Sequence, residues 1–433
     1  MTAERTAVRA AAPGLARPRA LLAAHPLAVD LIFYLICTGY AVTIALTNEF
    51  YGFRIWGSCA AFGYGFAALH TGWLMAARRT GGSLVRSRWL GLAGIGLLSM
   101  LLPLGILLVR RLTGTDWLDT PFSWSAQPEV WVIERSASLL LDHGTPYSDI
   151  AALTRAPEVN DYTPYGPVMT VFGLPRALFG GSPVADVLTD ARVMFVLTAC
   201  VCAWMTVRLA GTPRVPVRAA QFAMACPFTA LTWAVAGPDL AIVGLMLVAA
   251  ALAARDRPIA SAAVLAMVIS AKLIVAPAAV VLAVLVLARL GRGALARFIA
   301  TTVAACAVLN VPVLLVSPRA FAEHVIRFPA GLGQVTSPAA SPLPGYLIAS
   351  TGPAGKVAAF ILLAGAAAAI LVWLLRRPPT AGSDALWRIA VGLGAFTLLT
   401  PATRFGYLVY PCVLIGAMLC FRRAEADARA TSS

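Results

Sequence analysis

Charged side chains are scarce in this sequence: Asp, Glu, Lys and Arg together make up 12% of its 433 residues, about half the share found in soluble domains. Acids are the rarer sign, with 19 Asp and Glu against 34 Lys and Arg. The few histidines are scattered, and the eight cysteines lie in apolar runs without a Cys-x-x-Cys pair. These deficits argue against a water-soluble globule, a disordered chain and a metal centre, and the cysteines are interpreted as small core residues.

Apolar side chains dominate instead. They account for 60% of the residues, and the mean hydropathy of the chain is +0.81. This composition predicts an all-α polytopic membrane protein, in which most residues face lipid or other helices. The net charge of +15 is therefore interpreted as arginine-rich cytoplasmic loops rather than a nucleic-acid-binding surface, and no nucleic acid is expected as a partner.

The apolar runs give a count of membrane spans. Ten runs have membrane length, at about 28–48, 55–77, 89–109, 190–210, 217–236, 238–254, 296–316, 355–375, 385–401 and 403–421. Residues 259–289 form either one very long run or two short helices that meet near Ala271 and Lys272. Two helices here give twelve segments with both termini in the cytoplasm. Most of the 34 basic residues then lie in inner loops, as the positive-inside rule requires, so we favour the split.

This arrangement predicts a single transmembrane domain over residues 28–421. A basic cytoplasmic tail, 1–27, precedes it, and a second cytoplasmic tail, 422–433, follows it. Two long segments, at about 110–190 and 317–354, fall on the outer side of the membrane. Loops of this length inside a compact domain are usually functional.

The first outer segment contains a helical pattern. Val130, Ile133 and Ala137 recur at helical spacing, and Gly144 is a natural helix stop. We expect an amphipathic helix at the outer membrane surface. Residues 168–174 are apolar but too short to span, and we expect them to dip into the membrane interface.

Three acids of the first outer segment could act as a general base. Asp116 and Asp119 follow the third span almost immediately, so they lie near the headgroup level. Glu129 opens the predicted amphipathic helix, where the helix dipole also favours a carboxylate for structural reasons alone. The sequence leaves both interpretations of Glu129 open.

Three charges at membrane depth are more informative. Asp239 lies between two apolar spans, Lys272 lies within a long apolar run, and Arg404 lies at the outer end of a span. Such residues cost free energy and usually face a polar cavity. They form structural ion pairs, for example Lys272 with Asp239, or they bind an anionic headgroup, since cations around a phosphate stabilise a charged leaving group. The second outer segment adds His324 and Arg327.

Several short motifs together resemble those of glycosyltransferase family 87, whose actinobacterial members use polyprenol-phosphate sugars. They are spread from about residue 116 to 412. The motifs are His143-Gly144-Thr145-Pro146-Tyr147, Asp161-Tyr162-Thr163-Pro164-Tyr165, Phe172-Gly173-Leu174-Pro175, Gly237-Pro238-Asp239, the isolated Lys272, Ser337-Pro338-Ala339-Ala340-Ser341-Pro342 and Arg404-Phe405-Gly406-Tyr407.

The resemblance implies a fold and a reaction. The fold would be a glycosyltransferase C-like bundle of about twelve transmembrane helices with two extracytoplasmic loops. The reaction would be an inverting single displacement that moves a hexose, mannose in the family's glycolipid mannosyltransferases, from a polyprenyl-phosphate donor to a glycolipid or glycan acceptor. It would take place at the outer face of the cytoplasmic membrane. Related enzymes vary in their need for a divalent metal, and no dense acidic motif here demands one, so no cofactor is assigned.

The resemblance also implies roles for particular residues. Family members usually carry an Asp near the start of the first outer helix, where this sequence has Glu129, so Glu129 is the first candidate for the base and Asp116 and Asp119 are its alternatives. The residues expected to hold the donor phosphate are Lys272, Arg327 and Arg404. Further site candidates are His324, Asp239, Tyr165 and Tyr407.

A lipid-linked sugar transporter or flippase is the main alternative, because charges such as Asp239 and Lys272 also mark transport sites. The outer loops are unequal and carry the candidate residues, which favours an interfacial enzyme. For an enzyme, we expect Glu129, Lys272 and Arg404 to line one outward-facing cavity, since a single reacting sugar must touch the base and the cations.

Overall fold

The computed structural model describes residues 24–77, 82–113, 123–212, 214–336 and 338–432. These residues are mostly helical and form no β-strand, only an isolated parallel bridge between Ala340 and Thr403. The predicted all-α class is therefore confirmed.

The principal helices, in chain order, are α1 (Pro26–Thr47), α2 (Tyr51–Ala76), α3 (Arg88–Leu112, with a π-helical turn at Gly96–Leu101), α4 (Pro128–His143), α5 (Ala191–Ala210), α6 (Val217–Ala223), α7 (Pro227–Val235), α8 (Pro238–Ala254), α9 (Pro258–Ala271), α10 (Pro277–Leu290), α11 (Arg292–Val316), α12 (Pro353–Arg376), α13 (Gly382–Leu399) and α14 (Val409–Ser432).

Seven helical segments of the described chain are long and apolar enough to cross a membrane, or eight when the bent pair α7–α8 is counted as one span. The seven contain α1, α3, α5, α10, α11, α12 and α14. The chain is thus a multi-pass membrane protein. The twelve spans and the sides of the loops stay predictions.

Two of the predicted runs prove to be broken helices. The run at 217–236 was expected to be one helix, but α6 ends at Ala223 and α7 begins at Pro227, because proline lacks the N–H that continues a helix and suits a first turn. The split of 259–289 into two helices is confirmed, since α9 ends at Ala271 and the next helical turn starts after Lys272.

The core is centred on α8, where nearly every side chain is buried. A helix that is apolar on all sides must be surrounded by other helices, and α8 packs against α5, α9, α13 and α14. The largest cluster of buried apolar residues also includes Val130 and Ile133 of α4 and Met169 of a 3₁₀ segment at Pro167–Phe172. The first outer segment is therefore packed onto the helical core.

The helix predicted in the first outer segment is confirmed as α4, and its position at the outer membrane surface stays a prediction. Pro128 occupies its first turn, and Gly144 ends it in the left-handed conformation at φ 70°, with its N–H donating to the carbonyl oxygen of Leu140. Gly173 lies against the helix, where a Cβ would approach the Ile133 carbonyl oxygen to 2.5 Å. This contact fixes the orientation of α4.

Candidate active site

A sharp bend between α7 and α8 positions Asp239. The two helix axes differ by 119°, and Gly237 makes the turn at φ +86°. A Cβ on Gly237 would lie 2.7 Å from the ring of Phe195, so both the backbone angle and the space require glycine. Asp239 follows in the first turn of α8, where the positive end of the helix dipole stabilises its carboxylate.

The break between α9 and α10 positions Lys272. Its backbone is extended, with φ −149° and ψ 112°. The N–H of Gly166 donates to the carbonyl oxygen of Ala271 over 2.9 Å. A Cβ on Gly166 would lie 2.1 Å from the carbonyl oxygen of Ser270, so only glycine permits this approach. The first outer segment thereby fixes the position of the Lys272 side chain.

Lys272 forms an ion pair with Asp239 inside a group of tyrosines. The side chains of the pair are 11% and 14% exposed. The phenol of Tyr410 donates to Oδ1 of Asp239 over 2.5 Å. The ammonium nitrogen lies 4.9 Å from the ring centre of Tyr407 and 5.7 Å from that of Tyr165. Aromatic faces at these distances attract a cation, so Lys272 is held in its charged form by several groups at once.

Glu129 forms a second ion pair, with Arg404. Glu129 lies in the first turn of α4, and the preceding Gln127 N–H donates to the carbonyl oxygen of Val235, beside the α7–α8 bend, over 2.9 Å. Oε1 of Glu129 contacts the Arg404 guanidinium, whereas Oε2 is buried without a hydrogen-bond partner among the described residues. The Glu129 charge raises the pKa of Arg404 above its ordinary value.

The second outer segment holds Arg404 in place. The N–H of Ser341 donates to the Thr403 carbonyl oxygen, and the N–H of Thr403 donates to that of Ala339, both over 2.9 Å. The Phe405 N–H donates to the Ser341 hydroxyl over 3.0 Å. Residues on both sides of Arg404 are thus fixed by Ala339 and Ser341, which belong to the proline-rich motif seen in the sequence.

The two ion pairs belong to one charge cluster, which consists of Glu129, Asp239, Lys272, Arg404, Tyr165, Tyr407 and Tyr410. Glu129 interacts electrostatically with Lys272, and Tyr165 interacts electrostatically with Glu129, Asp239 and Arg404. Two carboxylates balance two cations. The cluster therefore brings a carboxylate that could accept a proton next to cations that could hold an anion. Among the described residues no three His, Cys, Asp or Glu side chains are grouped to hold a metal ion.

The third cation predicted to hold the donor phosphate lies elsewhere. Arg327 is on a π-helical turn at Ala322–Arg327. Its side chain is 58% exposed and pairs with Glu323 over 2.8 Å. Asp116 and Asp119 lie outside the described residues.

His324 is fully buried between the two outer segments. The Thr163 N–H donates to Nδ1 over 2.8 Å, and Nε2 lies 2.8 Å from the carbonyl oxygen of Ser148. The rings of Tyr147 and Tyr162 flank the imidazole. Burial lowers the pKa of His324 to about 4. Both ring nitrogens are therefore occupied by bonds that join the outer segments.

Sequence reasoning missed Tyr410 and a buried charge network around Glu134. Tyr410 follows Tyr407 by three residues, and this helical spacing could have indicated a shared face. Glu134 binds the guanidinium groups of Arg111 and Arg176, each over 3.2 Å, and accepts the Ala191 N–H over 3.0 Å. It lies within the apolar stripe of α4, which was a signal that it is buried. The network attaches α4 to the start of α5.

The fold and the charge cluster define a multi-pass helical membrane protein with acids and cations gathered where helices begin and end. The family model of glycosyltransferase family 87 matches residues 162–401, more than half of the chain. The chain therefore belongs to glycosyltransferase family 87 and is a membrane glycosyltransferase. No curated protein and no solved structure matches it. Asp239 and Lys272 lie within the matched range, and Glu129 and Arg404 lie on either side of it.

Proposed function

We propose that the protein transfers a hexose from a polyprenyl-phosphate donor to a glycolipid or glycan acceptor at the outer face of the cytoplasmic membrane, with mannose as the first candidate sugar. The observation that carries the proposal is the charge cluster, in which Glu129 lies beside Arg404 and near Lys272. Membership of a glycosyltransferase family supplies the reaction class.

In this proposal, Lys272 and Arg404 bind the donor phosphate. The Arg404 guanidinium presents several donors in one plane, a geometry suited to phosphate oxygens, while the Lys272 ammonium contributes a compact charge. Negative charge grows on the phosphate as the sugar leaves, so fixed cations there stabilise the transition state. Arg327 is exposed and would contact a donor at the rim.

Glu129 is the proposed general base. The acceptor hydroxyl gives its proton to the carboxylate, its oxygen forms a bond to the anomeric carbon, and the bond from that carbon to the phosphate oxygen breaks with its electron pair on the phosphate. The Oε2 atom of Glu129 has no partner among the described residues, which supports its assignment as the proton acceptor. The alternatives, Asp116 and Asp119, are tested beside it.

A lipid-linked donor suits this location. Its isoprenoid chain stays in the hydrocarbon region while its phosphate and sugar lie at the interface, near the ends of spans. Tyr165 and Tyr407 would then form walls around the sugar, since aromatic faces pack well against it. Asp239 would orient Lys272 rather than touch the sugar. Divalent metal is not required by this scheme.

The test is transfer from radiolabelled polyprenyl-phosphate sugars in vesicles that contain the purified full-length protein. We expect a labelled lipid product from the wild type and none above background from Glu129→Gln. Asp142→Asn is the matched control, because Asp142 is an exposed acid on the same helix. Full transfer by Glu129→Gln and loss in Asp116→Asn or Asp119→Asn would move the base to the first outer segment's other acids.

The transport alternative is supported by the two interrupted helices that carry Asp239 and Lys272, since broken helices also build transporter sites. A flippase would move the donor across the vesicle membrane without forming a labelled product. Movement without product would therefore refute the proposed transfer.

A further inference from the structure

We propose that Arg404 couples donor binding to activation of the base. The donor phosphate takes the guanidinium from Glu129, and the carboxylate released in this way accepts the proton of the acceptor hydroxyl. This inference rests on the proposed function and deepens it, because it predicts that the donor binds before the base becomes competent.

Each cation of the charge cluster already holds a carboxylate. Arg404 is paired with Glu129, and Lys272 is paired with Asp239. The Arg404 guanidinium occupies Oε1 of Glu129, and the carboxylate in turn occupies N–H donors that a phosphate would use. A phosphate that binds Arg404 must therefore compete with Glu129, and the competition connects the two halves of the reaction.

The two pairs differ in how readily they open. The Lys272–Asp239 pair is 11% and 14% exposed, and the Tyr410 phenol supports it. The Arg404–Glu129 side chains are 34% and 20% exposed. Separating the more exposed pair costs less free energy, because water and an incoming anion reach its charges more easily. Arg404 is thus the cation that exchanges its partner, and Lys272 is the one that stays fixed.

The reaction also moves charge along this path. Before transfer, Glu129 carries one negative charge and the donor phosphodiester carries another. After transfer, Glu129 is neutral because it holds the acceptor proton, and the leaving phosphate monoester has gained the charge. The charge therefore moves from Glu129 to the phosphate that has replaced it on Arg404, so the cation lies against the group that becomes more negative during the step.

The test measures binding of geranyl phosphate, a short isoprenyl phosphate, to the purified full-length protein by isothermal titration calorimetry. We expect Glu129→Gln to bind this probe about fivefold more tightly than the wild type, as expected when one partner of a partly exposed ion pair no longer competes. In an Arg404→Gln background, adding Glu129→Gln should give no gain, because the competition acts through Arg404. Asp142→Asn, which removes the same charge from an exposed position of α4, should bind like the wild type.

Equal or weaker binding by Glu129→Gln would overturn the exchange, as would a gain that persists without Arg404 or is matched by Asp142→Asn. Glu129→Ala gives the same test with a smaller side chain if the amide variant does not fold. Loss of transfer in Glu129→Gln without any gain in binding would refute the exchange and leave the proposed function standing. Failure of the wild type and every variant to bind geranyl phosphate would refute both.

Discussion

Acidification is expected to loosen the contact between the two outer segments, because His324 joins them as a neutral imidazole. The Thr163 N–H donates to Nδ1, so this nitrogen has no room for a proton, and Nε2 donates to the Ser148 carbonyl oxygen. Protonation of Nδ1 would place its N–H against the N–H of Thr163, so the hydrogen bond between them would be lost. The buried position between Tyr147 and Tyr162 also disfavours a charged ring.

The magnitude follows from the pKa of His324, which burial lowers from 6.5 to about 4. The separated segments bind a proton below pH 6.5, whereas the docked segments resist it until about pH 4. The contribution of neutral His324 to the contact between the segments is therefore fully present above pH 6.5, and it is lost as the pH falls from 6.5 towards about 4. At about 1.4 kcal/mol for each pH unit, the loss reaches about 2 kcal/mol at about pH 5 and about 3 kcal/mol at about pH 4.

The charges that face the ring come from three elements. Arg135 on α4 opposes protonation of His324, while Glu323 and Asp161 favour it. All three remain in a His324→Gln variant. Glutamine can still accept from Thr163 and donate to Ser148, but it does not titrate. The difference between the wild type and this variant therefore isolates the imidazole.

Hydrogen exchange of the peptides around Thr163 measures the effect. Between about pH 7.5 and about pH 5, and after correction for intrinsic exchange rates, protection in the wild type should fall about 30-fold more than in His324→Gln. Parallel pH profiles for the two proteins would show that His324 does not control docking, and the reasoning from its burial and bonding would be wrong.

Three further predictions concern the elements that hold the charge cluster. Gly166→Ala places a Cβ 2.1 Å from a backbone carbonyl oxygen of α9. It should lower the free energy of unfolding by about 1–3 kcal/mol and abolish most transfer activity. Gly293→Ala, which has open space around the new Cβ, should change neither the melting temperature nor transfer. Glu134→Gln removes one of the two carboxylates that hold Arg111 and Arg176, which keep Asp190 and Asp186 as partners, and should lower the free energy of unfolding by about 1–3 kcal/mol; an unchanged melting temperature would contradict this. Lys272→Ala should lower transfer about 10²–10³-fold, while Lys356→Ala, at an exposed position, should leave the rate unchanged.

The sequence predicted those features that depend on local chemistry. The all-α class follows from composition, and the limits of α4 follow from its spacing and from Gly144. The break near Lys272 follows from the positive-inside rule, because two helices there place most basic residues in inner loops. Glu129, Lys272 and Arg404 were expected to share a site because one sugar must reach them all, and the structure brings them into one cluster. Their chemical roles stay predictions.

Features that depend on packing could not be predicted. A buried histidine that joins two loops and a histidine that binds a phosphate look alike in a sequence, so His324 was a site candidate, whereas the structure places it among Thr163, Ser148 and two tyrosine rings. Hydropathy averages over a run, so it did not detect the break before Pro227. Span counts from hydropathy have the same weakness.

The sequence posed structural ion pairs and anion binding as alternatives for Lys272 and Arg404, and the structure indicates that the two are compatible. An unpaired cation in a region of low dielectric costs several kcal/mol, so a cation kept there to bind phosphate needs a carboxylate partner in the free protein. The Lys272–Asp239 and Arg404–Glu129 pairs fulfil this requirement. A phosphate then replaces one charged contact of the cation with another, so the cation is never left unpaired in a region of low dielectric. Ion pairing is therefore a condition for an anion site at this depth rather than evidence against one.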